Sequence, residues 1–563
     1  MKIKRLSALL LLLLLAAFSI QLTYAAALKA PAAPQKIPND FWKLSPLYDK
    51  ALKANDNKNI IAYGLKIIKL FDGMAENTQV LEIVTPRFQK IALAYEALGD
   101  YDNAVENYKK YIPRAKALGW KDGADYAEAK LKALDFDIDL YTTSADTGGN
   151  KYYNAKYEPL SGIYFGSAYD NDPRIGTYSW EDIKTYFPKK NSAYLIYLDW
   201  EQSVEAFDRY YTDARQNGIG LQLAWNISDA RIADTLKNIT NYNGYITNTA
   251  KYLGKLDIPV FLRFACEMNI KDNAKDPASY IAAFRYVTDV MRQYAPNVAM
   301  VWSPNDISAK GRTYEQYYPG DSYVDWVGVS TYDYLYFQGK KDWGSLQDSI
   351  NTNFMTGEYV NPVAKIKPIM DLYGGKKPIM LSETGIGHYS KSQKEDLTSW
   401  AAVQFNRLYI YGPMRYPELK GIFYFNVNID GATKHDDYSL YGSATLNNLY
   451  NSITGSDYFL SGIGQAAPFR YVKIDDYKTA ENNISIYTYT IVPKVLKPTV
   501  KYRIDNTVVA SSDELPYTLK LDASKYSKGT HSFTVEVYNN GKQVRSKNYQ
   551  LVISGKQTEI ILK

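Results

Sequence analysis

Eight short apolar runs, each separated from the next by a longer stretch of helical periodicity, restrict the middle of this chain to very few architectures. They fall near residues 162–167, 193–199, 220–225, 258–265, 298–302, 324–330, 378–382 and 421–426. Buried strands alternating with crossover helices make a parallel sheet covered on both faces. Eight repeats over about 300 residues fit a (β/α)8 TIM barrel with loop insertions better than an open nucleotide-binding sheet. No glycine-rich phosphate loop follows the first run, which removes the main support for the open sheet. In a barrel, chemistry sits at the carboxyl ends of the strands, so those positions are the ones to inspect.

The flanks have a different texture. Residues 1–25 carry Lys2, Lys4 and Arg5, then a leucine run and small residues, the layout of a signal peptide, and residues 26–41 read as a linker. Residues 42–145 have few strand signals and apolar residues at helical spacing, which predicts an all-α domain. Within it AYEALGDYDNAVENYKKY, residues 94–111, resembles a tetratricopeptide repeat, with Gly99 and Asp100 breaking one helix from the next and Ala104 and Tyr108 one turn apart. Such a helical-repeat region either docks as a cap or offers a groove to a protein or cell-surface partner. The barrel is expected over 155–470. Residues 480–563 alternate apolar and polar, with turn chemistry at Asp505-Asn506 and Asn540-Gly541, and predict a C-terminal β-sandwich that resembles bacterial immunoglobulin-like modules.

Composition narrows the function. Loss of the leader removes three cations and no acid, taking the formal charge from +6 to +3, too little for a nucleic-acid partner. Cys266 is the sole cysteine, so no internal disulfide forms, and no run beyond the leader reaches the roughly 18 apolar residues of a membrane span. Export would leave a secreted or cell-surface protein. The 53 tyrosines suit both sugar contact and strand formation and decide nothing alone.

Two carboxylates stand out. The fourth run ends in VFLRFACEMN, residues 260–269, where Arg263, Ala265, Glu267 and Asn269 share one face if the strand stays extended. The seventh run, PIMLSETG, delivers Glu383 at the corresponding place. Two acids facing each other across a barrel mouth suit cleavage of a glycosidic bond, one protonating the leaving oxygen and the other attacking the anomeric carbon. That chemistry needs no cofactor. No G-x-S-x-G elbow or zinc pattern offers another route, and neither Asp170-Asn171-Asp172 nor Asp436-Asp437 has calcium-loop spacing.

The central region resembles glycoside hydrolase family 26, the retaining β-mannanases and β-glucanases, through YITNTAKYLGKLDIPVFLRFACEMN, YIAAFRYVTDVMRQYAPNVAMVWSPND, YYPGDSYVDWVGVSTYD and KKPIMLSETG in that order. The resemblance implies a secreted retaining hydrolase of a β-linked polysaccharide with Glu267 as acid/base and Glu383 as nucleophile. It also places Tyr332 against the nucleophile, donating a hydrogen bond to its anionic form. Arg263 and Asn269 would position substrate hydroxyls or the carboxylates, Arg263 alternatively neutralising the strand-four acid. Trp225 and Trp302, at the ends of strands three and five, would form a sugar-stacking floor or else pack at the barrel rim. Two departures point away from mannan. Cys266 stands where many members have histidine, and Ile270-Lys271-Asp272-Asn273 follow the E-M-N without an aromatic residue. The rival reading is a non-catalytic polysaccharide-binding surface or matrix protein on a hydrolase-like barrel.

Overall fold

The computed structural model describes residues 35–562 apart from 135, 177–178, 310, 337–356, 358–359, 430–435, 476, 494 and 555–556. Residues 1–25, where a leader is expected, and His435 lie outside the described residues. The chain divides into two units, 1–136 and 137–563.

In the first unit the described residues form five helices, α1 (Asn39–Lys53), α2 (Asn57–Lys69), α3 (Thr78–Ala97), α4 (Tyr101–Ala117) and α5 (Lys121–Leu134), each packed on the next. Their starts are written locally. Asp56, Asn77 and Asp100 cap α2, α3 and α4 by accepting from backbone N–H groups three residues on. The α3–α4 break falls at Gly99, whose φ of +69° suits a residue without a side chain. Ala104 and Tyr108 are fully buried, and the Tyr108 hydroxyl donates to Glu96 at 2.5 Å. Glu96 also pairs with Lys130 of α5 at 3.1 Å, so Tyr108, Glu96 and Lys130 satisfy one another inside the helical core.

In the second unit the eight apolar runs are eight parallel strands: β1 (Ile163–Ser167), β2 (Ala193–Asp199), β3 (Gly220–Asn226), β4 (Val260–Phe264), β5 (Val298–Trp302), β6 (Trp326–Asp333), β7 (Ile379–Ile386) and β8 (Leu419–Tyr424). The ladder runs β1-β8-β7-β6-β5-β4-β3-β2, with the short strand Phe459–Leu460 beside β1, giving a curled TIM-like sheet. At the seam Ser192 N donates to Phe165 O at 2.9 Å and Phe165 N to Ser192 Oγ at 3.0 Å. Gly166 permits this approach, because a Cβ there would stand 1.9 Å from Ala193 O. Among the described residues no helix is long and apolar enough to cross a membrane.

Two larger antiparallel sheets and a small three-stranded one (Glu395–Asp396, Tyr389–Ser390, Asp436–Asp437) complete the unit among the described residues. One has the order Arg470–Lys473, Asp139–Ser144, Asn483–Tyr489, Tyr517–Asp522. The other has the order Tyr477–Thr479, Thr558–Leu562, Lys542–Ile553, Gly529–Asn539, Thr499–Ile504, Thr507–Ser512. Asp505-Asn506 and Asn540-Gly541 all have positive φ and close two-residue hairpins, as their chemistry requires. Residues 139–144, assigned from sequence to the helical stretch, are a strand. The alternation Leu140, Thr142 is too short to register locally, and its ladder partners lie more than 300 residues away.

Candidate active site

The carboxyl ends of β4, β6 and β7 bring Arg263, Glu267, Tyr332 and Glu383 to one place, but not by an extended strand four. β4 stops at Phe264, and Ala265 (φ 46°) and Glu267 (φ 59°) both adopt the left-handed conformation. For residues with a Cβ each is about 1–2 kcal/mol less favourable than the right-handed form. Two backbone hydrogen bonds hold them there, Ala265 N to Trp225 O at 3.0 Å and Glu267 N to Ser303 O at 2.8 Å. The shared-face expectation for Arg263, Ala265, Glu267 and Asn269 therefore fails after Arg263, and the bend rather than strand parity sets the aim of Glu267.

Glu383, from β7, is gripped on both oxygens. Oε2 accepts from Arg263 Nη1 at 2.9 Å, and Oε1 accepts from the Tyr332 hydroxyl in a short contact. Arg263 is wholly buried and spends its other donors on Ser382 O (3.2 Å), Ser330 Oγ (2.9 Å) and Ser303 Oγ (3.3 Å). Its ion-pair partner is thus the strand-seven acid, not Glu267. A buried guanidinium with this partner set cannot reach a substrate hydroxyl; it orients and neutralises Glu383.

Glu267 has a different environment. Its Oε1 accepts one hydrogen bond, from Asn305 Nδ2 at 3.0 Å. Burial, and then the charge of Glu383, push its pKa up, the direction that keeps a carboxylic acid protonated. Asn269 is fully buried; its amide nitrogen donates to Asn305 O (2.8 Å), Ile307 O (3.1 Å) and Ser308 Oγ (2.9 Å), and its oxygen accepts from Asn305 N (2.8 Å). It organises the loop after β5 that presents Asn305, and has no capacity left for a sugar.

The tryptophan floor is corrected outright. Trp225 and Trp302 are 0% exposed. Trp225 packs against Trp200 (ring centroids 4.9 Å), Tyr245 and Phe264, and its indole N–H donates to the Tyr245 hydroxyl at 3.0 Å. Trp302 packs against Tyr318 and Tyr373. On β3 the neighbouring Gln222 reaches Ser382 across the barrel interior, so Trp225, three residues on, faces the surrounding helices. Half-buried aromatic surface near the acids comes instead from Tyr197, Tyr332 and Phe425, with Phe425 edge-on to Tyr197 at 6.1 Å and to Tyr332 at 5.7 Å. Burial and the Glu383 charge raise the Tyr197 pKa well above the ordinary value.

Cys266 is buried, its pKa raised by burial, and its Sγ donates to Asn226 Oδ1 at 3.0 Å. His388 is engaged by Ser439 O at 2.8 Å and His531 by Asp505 at 2.5 Å, so neither serves it as a base. Asp172 is taken by Arg174 at 2.7 Å and Asn426 at 3.2 Å. Sequence reading missed Asn305, Tyr197, Asn226 and Phe425. Asn305 lies in the W-S-P-N-D run directly after strand five, and Tyr197 on the alternate positions of strand two; both were within reach of the strand-end rule.

Residues 208–379 match the family model for glycosyl hydrolase family 26, a stretch that contains Glu267 and ends just before Glu383. A β-1,3-xylanase from Vibrio sp is 36% identical over 101 residues, covering 17% of this chain and 22% of that protein. Endoglucanase H from Acetivibrio thermocellus is 29% identical over 170 residues, 28% of this chain and 18% of that one. The chain thus spans about a fifth of the length of these curated relatives. A GH26 β-mannanase from Bacteroides ovatus aligns with 54% of this chain and 91% of its own at 16% identity and a TM-score of 0.38. The likeness to glycosyl hydrolase family 26 thus rests on residues 208–379, which span β3 to the start of β7 and carry Glu267.

Proposed function

We propose that the protein is a secreted, retaining endo-hydrolase of a β-linked polysaccharide. Glu267 protonates the departing glycosidic oxygen while a Glu383 oxygen attacks the anomeric carbon, forming a glycosyl-enzyme ester. Water then attacks that carbon, giving its proton to Glu267 and releasing Glu383. The observation that carries this reading is the asymmetry between the acids. Arg263 and Tyr332 grip Glu383 on both oxygens, whereas Glu267 accepts from Asn305 and is raised by burial and the Glu383 charge. Tyr197, Tyr332 and Phe425 supply aromatic surface for the CH faces of sugars. Secretion rests on the leader-like residues 1–25.

The named activities of the relatives and the departure at Cys266 set the panel: β-1,3-xylan, mixed-linkage β-glucan, β-mannan and the producing cell's exopolysaccharide. New reducing ends from at least one, lost in Glu267→Ala and in Glu383→Ala, are expected. Binding across the panel without any new reducing end would establish the polysaccharide-binding alternative instead.

A further inference from the structure

Behind the two carboxylates lies an ion cluster that touches neither of them. Lys365, on the short helix Pro362–Lys365 between β6 and β7, is fully buried and faces Asp306 Oδ2 at 3.1 Å and Asp333 Oδ1 at 3.6 Å. Its ammonium also donates to the backbone oxygen of Tyr332 in a short contact. Asp306 directly follows Asn305, the hydrogen-bond donor to Glu267. Asp333 directly follows Tyr332, the donor to Glu383. One buried cation is therefore bonded to the chain on both sides of the site, each time within one residue of a carboxylate's partner.

The surrounding bonds carry the same link. Asp306 N donates to Ser330 O at 2.9 Å, Ser330 N to Pro304 O at 2.9 Å, and Thr331 Oγ1 to Asp306 Oδ2 at 2.6 Å. The loop after β5 is in this way stitched to the end of β6. Burying three charges is unfavourable unless each is paired, and replacement by apolar side chains is often neutral or stabilising for a fold. A cluster of this kind, bonded to the segments that carry Asn305 and Tyr332, points to a role in geometry.

We propose that Lys365, Asp306 and Asp333 are positioning residues that set Asn305 and Tyr332 jointly, so that the acid/base and the nucleophile are aligned by one buried ion cluster. This rests on the hydrolase reading of Glu267 and Glu383. The charged groups facing Asp333 are Lys365, Asp306 and Arg407, and those facing Lys365 are Asp306 and Asp333, with the Tyr334 ring alongside. Loss of the lysine leaves two buried aspartates without it, and they must separate or take up protons.

The test compares wild type with Lys365→Met, Lys365→Arg and Asp333→Asn, the last nearly isosteric and a safeguard should Lys365→Met fail to fold. On the panel polysaccharide that wild type cleaves, kcat should fall at least about tenfold in Lys365→Met and in Asp333→Asn with KM within about twofold, and Lys365→Arg should recover part of the loss. The Asn305 bond favours the anion of Glu267, so its loss should also move the alkaline limb of the pH–rate profile to higher pH. Crystal structures of the same variants give a readout that needs no turnover, and there the Tyr332 to Glu383 and Asn305 to Glu267 hydrogen bonds should be broken or lengthened. Both bonds intact with an unchanged pH profile would overturn the proposal. Wild type inert on the whole panel would sink the hydrolase reading, leaving the positioning role to stand or fall on those two bonds.

Discussion

Replacing Tyr332 by Phe deletes one hydroxyl and leaves the ring, whose packing on Phe425 and Tyr438 (centroids 5.7 and 5.4 Å) involves no oxygen. Glu383 then keeps Arg263 on Oε2 and loses the Tyr332 hydroxyl on Oε1. Two effects oppose each other. A carboxylate with fewer donors is a better nucleophile, but one held by a single oxygen swings about that contact and spends less time aligned for attack. A hydrogen bond to a charged group contributes about 1.5–3 kcal/mol. Alignment can be worth considerably more, so misalignment should win. With tenfold in rate per roughly 1.4 kcal/mol, kcat should drop by about ten- to a hundredfold while KM stays within about threefold. Initial rates of reducing-end release, with the melting temperature as a control for folding, measure this directly. A variant with kcat within about twofold of wild type and the same melting temperature would show Tyr332 to be a bystander and refute the reasoning.

Two further outcomes concern stability. Because the folded pKa of Glu267 lies above its ordinary 4.5, its contribution to stability is fully present below that value and is lost as pH rises through the raised one. Glu267→Gln should therefore melt higher than wild type near about pH 8 and lose the advantage near about pH 4, and a difference flat in pH would contradict the assigned shift. Trp225→Ala should cost about 3–5 kcal/mol, since the whole ring is buried against Trp200, Tyr245 and Phe264, with KM of the folded fraction unchanged. A large rise in KM without lost stability would restore Trp225 as a sugar platform.

The barrel was legible because each strand is a continuous apolar run, and both acids were legible because strand ends are where barrels place chemistry. The same continuity hid which way each side chain points. In a strand buried on both faces, apolar residues alternate with other apolar residues, so Trp225 and Trp302 gave no sign that they face the helices. The bend at Ala265 and Glu267 was hidden for another reason. Left-handed backbone is usually flagged by glycine or asparagine, whereas here tertiary hydrogen bonds to Trp225 and Ser303 impose it on residues that do not favour it. Asn269 was found but misread, as nothing in one sequence separates an amide that contacts ligand from one that bonds four groups of a neighbouring loop.

The strand Asp139–Ser144 pairs on one side with Arg470–Lys473 and on the other with Asn483–Tyr489. The polypeptide thus enters the barrel from the very sheet into which it later exits, and the two ends of the catalytic region are clasped together like the halves of a buckle. The C-terminal sheets are consequently not a trailing accessory that can be trimmed away. Cutting near residue 480 would strip a neighbour from the buckle and bare a row of backbone donors and acceptors, an edge inviting association with other chains. Any attempt to isolate the barrel has to carry residues on both sides of it, from the sheet strand at 139 through the last strand of the second sheet at 562, since Thr499–Ile504 pairs with Gly529–Asn539.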